Sequence, residues 1–510
     1  MNVKTDIILA AALSVASLAV SAKPRVVVVN EDNDHYFKLD ASLMTEQALK
    51  DYVDKMAGGK VTHFFMCPSG QRTSYDSKVW DRIWDEYDPK LHGRNRHFAS
   101  WATNAKSLCD RGIDPYAVWI RRCREKGISP WLSPRMNDAH NSNEKNPWRS
   151  TTFWRTRDDL HCYPGERSRD WTRCTLNFAY DEVQDYTFAL VKEQLDRYDV
   201  DGIELDFYRF SEYFPRETAY ESAHHLDRFV KRVKDYVDVK TKERGHRVLL
   251  GVRCSTTPKT ARAKGLDVGK WVREGWVDWV TGSTYWDSPD LNMPVGEWRT
   301  LFGKRADEVM LLNGTDHGVC ANRGNKATKR LTMTAELYAG FADIVWSSGA
   351  DGVYLFNVPY VPEELEKVCA RGLFPADLPA QERRYPISFR SEAAAGVPCD
   401  VQLPRKNDKP VELTVRVGGK VSGAQAFVRI AWREEGDFEP ELTLNGVKAT
   451  ASVAEPMKGR CDAWPDNSYE YRSRLYAVPV SAVRPGNANK VVIGATVTPA
   501  TVIWTEIVMK

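Results

Sequence analysis

The stretch Asp199 to Phe210 reads DVDGIELDFYRF, and four carboxylic acids interrupt a run otherwise apolar enough for a buried strand. Side chains alternate along a strand, so Gly202, Glu204 and Asp206 share one face and Ile203 and Leu205 the other. Turning two carboxylates into an interior is costly unless each is paired or put to use. Asp206, at the C-terminal end of the run, is the candidate for a reacting carboxylate; the competing reading is a rim acid paired with Arg209 or Arg253. Glu204 sits one layer deeper, and support of the site, held by Arg253 or His63, is its expected role. Asp199 and Asp201 precede the strand core and read as a solvated turn.

The elements around this stretch alternate. β-Branched or aromatic runs occur at 25–30, 61–67, 128–134, 202–207, 247–254, 277–286, 308–314 and 351–357, and helical periodicity fills most of the gaps, at 43–56, 116–126, 180–198, 218–244, 268–274, 333–348 and 362–371. Eight strand–helix units over about 350 residues predict a parallel (β/α)₈ TIM barrel, with an open doubly wound sheet as the competitor. The first strand runs into Asn30-Glu31-Asp32-Asn33-Asp34, acidic where a dinucleotide fold would place glycines, which counts against that competitor. A barrel of this kind builds its site where the strands end. Those ends supply His35 and Tyr36; Arg72; Arg135, Asn137, Asp138 and His140; Tyr208 and Arg209; Tyr285, Trp286 and Asp287; Asn313 and Asp316; and Asn357. Aromatic rings mixed with acids suit a sugar, whose ring faces stack and whose hydroxyls need paired acceptors and donors.

The remainder of the chain sets the context. Its 510 residues, 42% hydrophobic and 28% charged, are enough for two domains, and a formal charge of +3 with no long basic run gives no case for nucleic acid. Lys4, the apolar run Ile7 to Val20 and then Val20-Ser21-Ala22 have the form of a secretory leader cleaved near Ala22, which predicts a secreted or periplasmic protein. No later segment reaches the ~18 uninterrupted apolar residues of a membrane span. Export permits disulfides; of the ten cysteines, Cys162 and Cys174 are the pair close enough in sequence to test for one. The barrel is expected over 23–373, after the leader at 1–22, and a Pro-rich linker over 374–387. Short alternating strands over 388–510 predict an all-β sandwich, either carbohydrate-binding or a structural cover for the barrel.

RTSYDSKVW, GISPWLSPRMNDAH, DVDGIELDFYRF, GLDVGKWVREGWVD and GADGVYLFN together resemble the secreted bacterial glycosyl-hydrolase-like barrels, family 10-like and distantly α-amylase-like, over roughly residues 24 to 372. That resemblance implies a glycoside hydrolase with Asp206 as nucleophile. Many such barrels carry a Glu at the end of the seventh strand; here NGTDHG stands there and leaves Asp316 as its substitute. Hydrolysis takes two carboxyl groups, about 5 to 5.5 Å apart for retention and about 6.5 to 9.5 Å for inversion. Asp287, beside Tyr285 and Trp286, is the first choice of partner for Asp206, with Asp316 and Asp138 behind it; a turn cap before Ser288-Pro289 is the competing role for Asp287. Arg135, Asn137, Asp138 and His140 read as a substrate clamp. A metal held by Asp138, His140, Asp32 and Asp34 is the weaker alternative, and no cofactor is expected. The loop from 141 to 177, rich in Arg and Trp, is either a self-paired lid or a wall contacting an anionic glycan. The expected partner is thus a polysaccharide or glycan, and the rival function is a barrel that binds glycans without cleaving them.

Overall fold

The β-branched run after Arg25 becomes a strand buried on both faces, Val26–Glu31, as a parallel strand between helices must be. This is β1 of a closed barrel in a computed structural model that describes residues 23–92, 96–140, 147–165, 173–284, 288–321, 331–388, 403–419, 425–460 and 468–510. The expected leader, and Tyr285, Trp286 and Asp287, lie outside these residues. The other barrel strands are β2 (His63–Met66), β3 (Ser129–Leu132), β4 (Gly202–Asp206), β5 (Leu249–Ser255), β6 (Trp279–Ser283), β7 (Met310–Thr315) and β8 (Gly352–Phe356). All eight pair in parallel in the order β1-β8-β7-β6-β5-β4-β3-β2. The fold is the predicted TIM barrel.

The helices carry the stop and start chemistry that their sequences announce. Pro115–Glu125 begins with Pro115 behind Asp114, whose side chain accepts from the N–H groups of Tyr116 and Ala117. Ala223–Arg244 ends at Gly245 in the left-handed conformation. Several helices were not expected, the longest of them Arg96–Asp110. Its buried stripe of Trp101, Ala102, Ala105 and Leu108 has helical spacing, but two of the four are alanines and the pattern is faint in sequence.

The barrel interior is layered. Its floor is aromatic: Phe65 stacks on Trp131 with centroids 4.7 Å apart, and Trp131 meets Trp279 at 5.0 Å. Gly202 makes room for this, since a Cβ there would lie 2.6 Å from the Trp131 ring. Glu204 and Asp206 then occupy successive layers above the floor, on the face of β4 shared with Gly202.

Beyond the barrel, antiparallel strands form a seven-stranded and a four-stranded sheet, the predicted all-β sandwich. The segment 374–387, expected as a linker, contains the strand Arg383–Pro386, which pairs with the final strand Thr501–Met509. Arg384 from the first and Arg429 from a neighbouring strand clasp the fully buried Glu506 at 2.9 and 3.0 Å. Its other face packs on the barrel helix Ala335–Ser347, where Tyr385 donates to Asp343 at 2.6 Å. A Cβ on Gly340 of that helix would overlap the Arg384 carbonyl, so helix and strand meet backbone to backbone. Gly340→Ala is therefore expected to destabilise the protein by about 1 to 3 kcal/mol through overpacking, a shift that thermal and urea unfolding against the wild type would reveal.

Candidate functional site

β4 and β5 lie side by side with Asp206 opposite Arg253, so the two side chains leave the sheet on the same interior face. Arg253 Nη1 donates to Asp206 Oδ2 at 2.8 Å. Asp206 Oδ1 accepts from the backbone N–H of Tyr208 at 2.9 Å and of Arg209 at 3.1 Å. Every one of these partners is a donor, the arrangement a carboxylate requires. Asp206 is 2% exposed and Arg253 not at all. The guanidinium also lies over the Phe356 ring, 3.9 Å from its centroid.

One layer down, Glu204 Oε1 accepts from Ser133 Oγ at 2.8 Å and from Tyr354 OH at 2.7 Å, and Oε2 from Thr281 Oγ1 at 2.9 Å. Burial, reinforced by the charge of Asp206, pushes this carboxyl up to about 7, against the hydrogen bonds of Tyr354 and Ser133 and the charge of Arg253. Asn30 Nδ2 in turn donates to Tyr354 OH at 2.8 Å. The expected supporting role of Glu204 thus has a physical form, a carboxyl tied by hydroxyls of β3, β6 and β8. His63, the alternative holder, lies among the floor indoles, 5.1 Å from Trp279.

The rim over β1, β3 and β4 is a chain of alternating charges. Arg135 donates through Nη2 to Asp32 and through Nη1 to Asp138, each at 2.5 Å. His140 Nδ1 lies 2.7 Å from Asp138, and Arg209 Nη2 lies 3.2 Å from His140 Nε2. With Arg209 donating to Nε2, the ring hydrogen is on Nδ1, toward Asp138. Burial pushes the Asp138 carboxyl up, but His140 and Arg135 outweigh it and hold it well below the usual range. Burial lowers His140 to about 4, Asp138 opposing and Arg209 assisting. Asp32, Asp34 and His35 bring ligand atoms within 4.8 Å of one another, yet Asp32 is already bound to Arg135, and Asp34 to Lys38.

Several expected site residues turn out to build walls. Arg72 is buried and donates to the carbonyls of Ser150 and Asp85 and to Glu86, away from the mouth. Asn137 clamps two loops, donating to the carbonyls of Leu176 and Glu212. Tyr36 packs against Trp119 and donates to the Leu43 carbonyl. His35 lies 3.6 Å from Glu31. Tyr208 serves Asp206 through its backbone N–H, with Lys264 Nζ 5.0 Å over its ring. Asn313 has the parity of Leu311, which faces the helices, and its amide donates to the Asp290 carbonyl. Asp316, one residue past β7, lies near enough to the interior Arg253 for its charge to act on that guanidinium, and so faces inward. His317 holds it, through Nδ1 at 2.5 Å and its backbone N–H at 2.6 Å. Asp316 and Asp206 both act on the charge of Arg253.

The residues that sequence reasoning missed are Ser133, Thr281, Tyr354 and Phe356. Counting back by twos from the strand ends would have found them. Phe210 and Asn357, just past β4 and β8, have positive φ of 62° and 58°, strain of the kind that gathers at functional sites. In the described part of the loop 141–177, Arg157 pairs within the loop with Asp159, and Arg155 reaches outside it to Glu86. Cys162 and Cys174 are not joined by a disulfide.

Residues 95–310, from the start of the helix Arg96–Asp110 to the first residue of β7, match the family model described as Glycosyl hydrolase-like 10. The matched span holds Glu204, Asp206 and Arg253. No curated protein matches the chain. Among solved structures it is similar to an endo-β-1,4-mannanase from Thermotoga petrophila, with 11% identity, a TM-score of 0.42, and 95% of this chain and 98% of that one covered. It is also similar to a GH36 α-galactosidase from Geobacillus stearothermophilus, with 14% identity, a TM-score of 0.37 and 89% of this chain covered. The chain spans 56% of that galactosidase's length. A glycoside hydrolase family 18 N-acetylglucosaminidase from Paenibacillus barengoltzii is matched at 10% identity and a TM-score of 0.36, over 68% of this chain and all of that one. Among the described residues, no helix is long and apolar enough to cross a membrane.

Two stability changes follow from the site. Arg253→Met leaves Asp206 buried without its cation and is expected to cost about 3 to 5 kcal/mol in urea unfolding. His140 takes up its proton at about 4 when folded and 6.5 when unfolded. Protons therefore favour the unfolded chain as pH falls through that window, and this group alone removes about 3 kcal/mol by pH 4. In His140→Gln, unfolding free energy should fall less steeply between pH 6.5 and 4 than in the wild type.

Proposed function

We propose that the barrel hydrolyses a glycosidic bond of a polysaccharide or complex glycan, with Asp206 as the reacting carboxylate. The observation that carries this reading is the position of Asp206, in the top interior layer of β4 with Arg253 and two backbone N–H groups as its partners. Two-carboxylate hydrolysis needs a second acid across the bond. Asp316 supports that role, because it faces the same interior from β7, three strands round from β4, and is held by His317. Asp287, just beyond β6, is the other candidate. Sugar hydroxyls have amides to meet: Asn357 Oδ1 and both polar atoms of the Gln71 side chain are buried without a hydrogen-bond partner among the described residues. The apolar run and Val20-Ser21-Ala22 support an exported enzyme that meets its glycan outside the cytoplasm.

Asp206→Asn should reduce the release of reducing ends by at least ~10²-fold while glycan binding, measured by calorimetry, is retained. A wild-type protein that binds glycans and never releases reducing ends is the non-catalytic binder instead. Asp316→Asn and Asp287→Asn identify the second acid, since loss of the true proton donor cripples turnover of ordinary glycosides and spares substrates with good leaving groups. The anomer released, read by NMR, then gives retention or inversion.

A further inference from the structure

Inside the mouth, two carboxyl groups occupy neighbouring layers and one guanidinium serves them. Arg253 Nη1 is on Asp206, while its Nε and Nη2 have no hydrogen-bond partner among the described residues. The groups whose charge or titrating proton acts most on Glu204 are Asp206 on its own strand, Arg253 on β5 and Tyr354 on β8. From β1, β3 and β6 it meets the neutral Asn30, Ser133 and Thr281, directly or through Tyr354. Arg135, at the top of β3, is engaged by Asp32 and Asp138. Asp316, at the end of β7, acts on Arg253. His63 of β2 is a layer lower. Two of the hydroxyls that reach Glu204 are themselves aimed from behind, Tyr354 OH by Asn30 Nδ2 and Thr281 Oγ1 by Trp279 Nε1 at 3.2 Å. The carboxyl is thus fixed in place and cannot swing away from the layer above it.

We propose that Glu204 is a positioning residue for Asp206 that serves the site only while it carries its proton; once ionised, it competes with Asp206 for the Arg253 guanidinium and loosens Asp206. The proposal rests on the reading of Asp206 as the reacting carboxylate. Proton loss from Glu204 puts two like charges one layer apart against a single cation, and the free Nε and Nη2 give that cation the means to turn. The upward push on Glu204 by burial and by Asp206, to about 7, places the change within the working range of an enzyme.

The test is the pH dependence of kcat/KM in the wild type, Glu204→Gln and Tyr354→Phe, with crystal structures of the wild type and Glu204→Gln at pH 5 and pH 9. Wild-type activity should fall about tenfold per pH unit above roughly pH 7. Glu204→Gln, whatever its level at pH 6, should show no such fall. Tyr354→Phe removes a hydrogen bond to the charged form and should move the fall to higher pH. In the structures, the Arg253–Asp206 contact should open at pH 9 in the wild type and stay closed in Glu204→Gln. A wild-type alkaline fall in Glu204→Gln, or a wild-type contact unchanged at pH 9, overturns the proposal. Should Glu204→Gln fail to fold, the wild-type structures and Tyr354→Phe decide it. A wild type that releases no sugar at any pH sinks the hydrolase reading, and the paired structures then judge the proposal alone.

Discussion

A guanidinium can stay inside a barrel only if a counter-charge stays with it, and Asp206 does this for Arg253. Removing either ion from water costs several kcal/mol, which their attraction offsets only when geometry is good and the remaining hydrogen bonds are made. Here the geometry comes from the sheet itself, because β4 and β5 put the two residues in register. The remaining bonds come from the chain turning sharply after Asp206, so that the N–H groups of Tyr208 and Arg209 point back at its carboxylate. The left-handed backbone of Phe210 is the cost of that turn. Phe356, at the end of β8, closes the arrangement under the guanidinium.

The sandwich bears on the same mouth through one helix. Ala335–Ser347 lies between β7, which Asp316 follows, and β8, which ends at Phe356 and is followed by Asn357. The strand Arg383–Pro386 lies against it so closely that only glycine fits at 340. Glu506, clasped by Arg384 and Arg429, fixes that strand to the sandwich core, and Tyr385 and Asp343 fix it to the barrel. The quarter of the rim that carries the inward-facing Asp316 is therefore braced from behind. A free linker at this point would leave β7 and β8 to be held by barrel contacts alone.

The alternation of elements and the two-residue period of DVDGIELDFYRF were enough to read the barrel and the interior face of β4 from sequence. They were also enough to place Asp206 above Glu204. The same period, applied to β7 and β8, would have excluded Asn313 and found Tyr354 and Phe356. Past the last residue of a strand the period stops, and there sequence is silent: Arg72, Tyr36 and Asn137 are polar or aromatic loop residues, and only the fold shows that their partners lie in the walls. The charge chain from Asp32 through Arg135, Asp138 and His140 to Arg209 joins residues up to 177 positions apart, and no local pattern announces it. The strand at 383–386 was hidden for another reason, since Pro-rich flanks read as linker while its pairing partner is the far end of the chain.

The acid in the middle layer answers to the barrel as much as to the site. Ser133, Thr281 and Tyr354 bring three hydroxyls inward from three strands, above a floor of Phe65, Trp131 and Trp279 that offers no acceptor. An apolar side chain at 204 would leave all three unsatisfied, a penalty of about 1 to 3 kcal/mol for each. A carboxyl can receive all three, and a protonated one can return a hydrogen to Ser133. Its alternative, an amide, has the same shape, but its NH2 group only donates and could not accept from the hydroxyl on that side. Hydrogen bonding therefore favours Glu over Gln at this position, and the same choice places a group that can ionise one layer beneath Asp206.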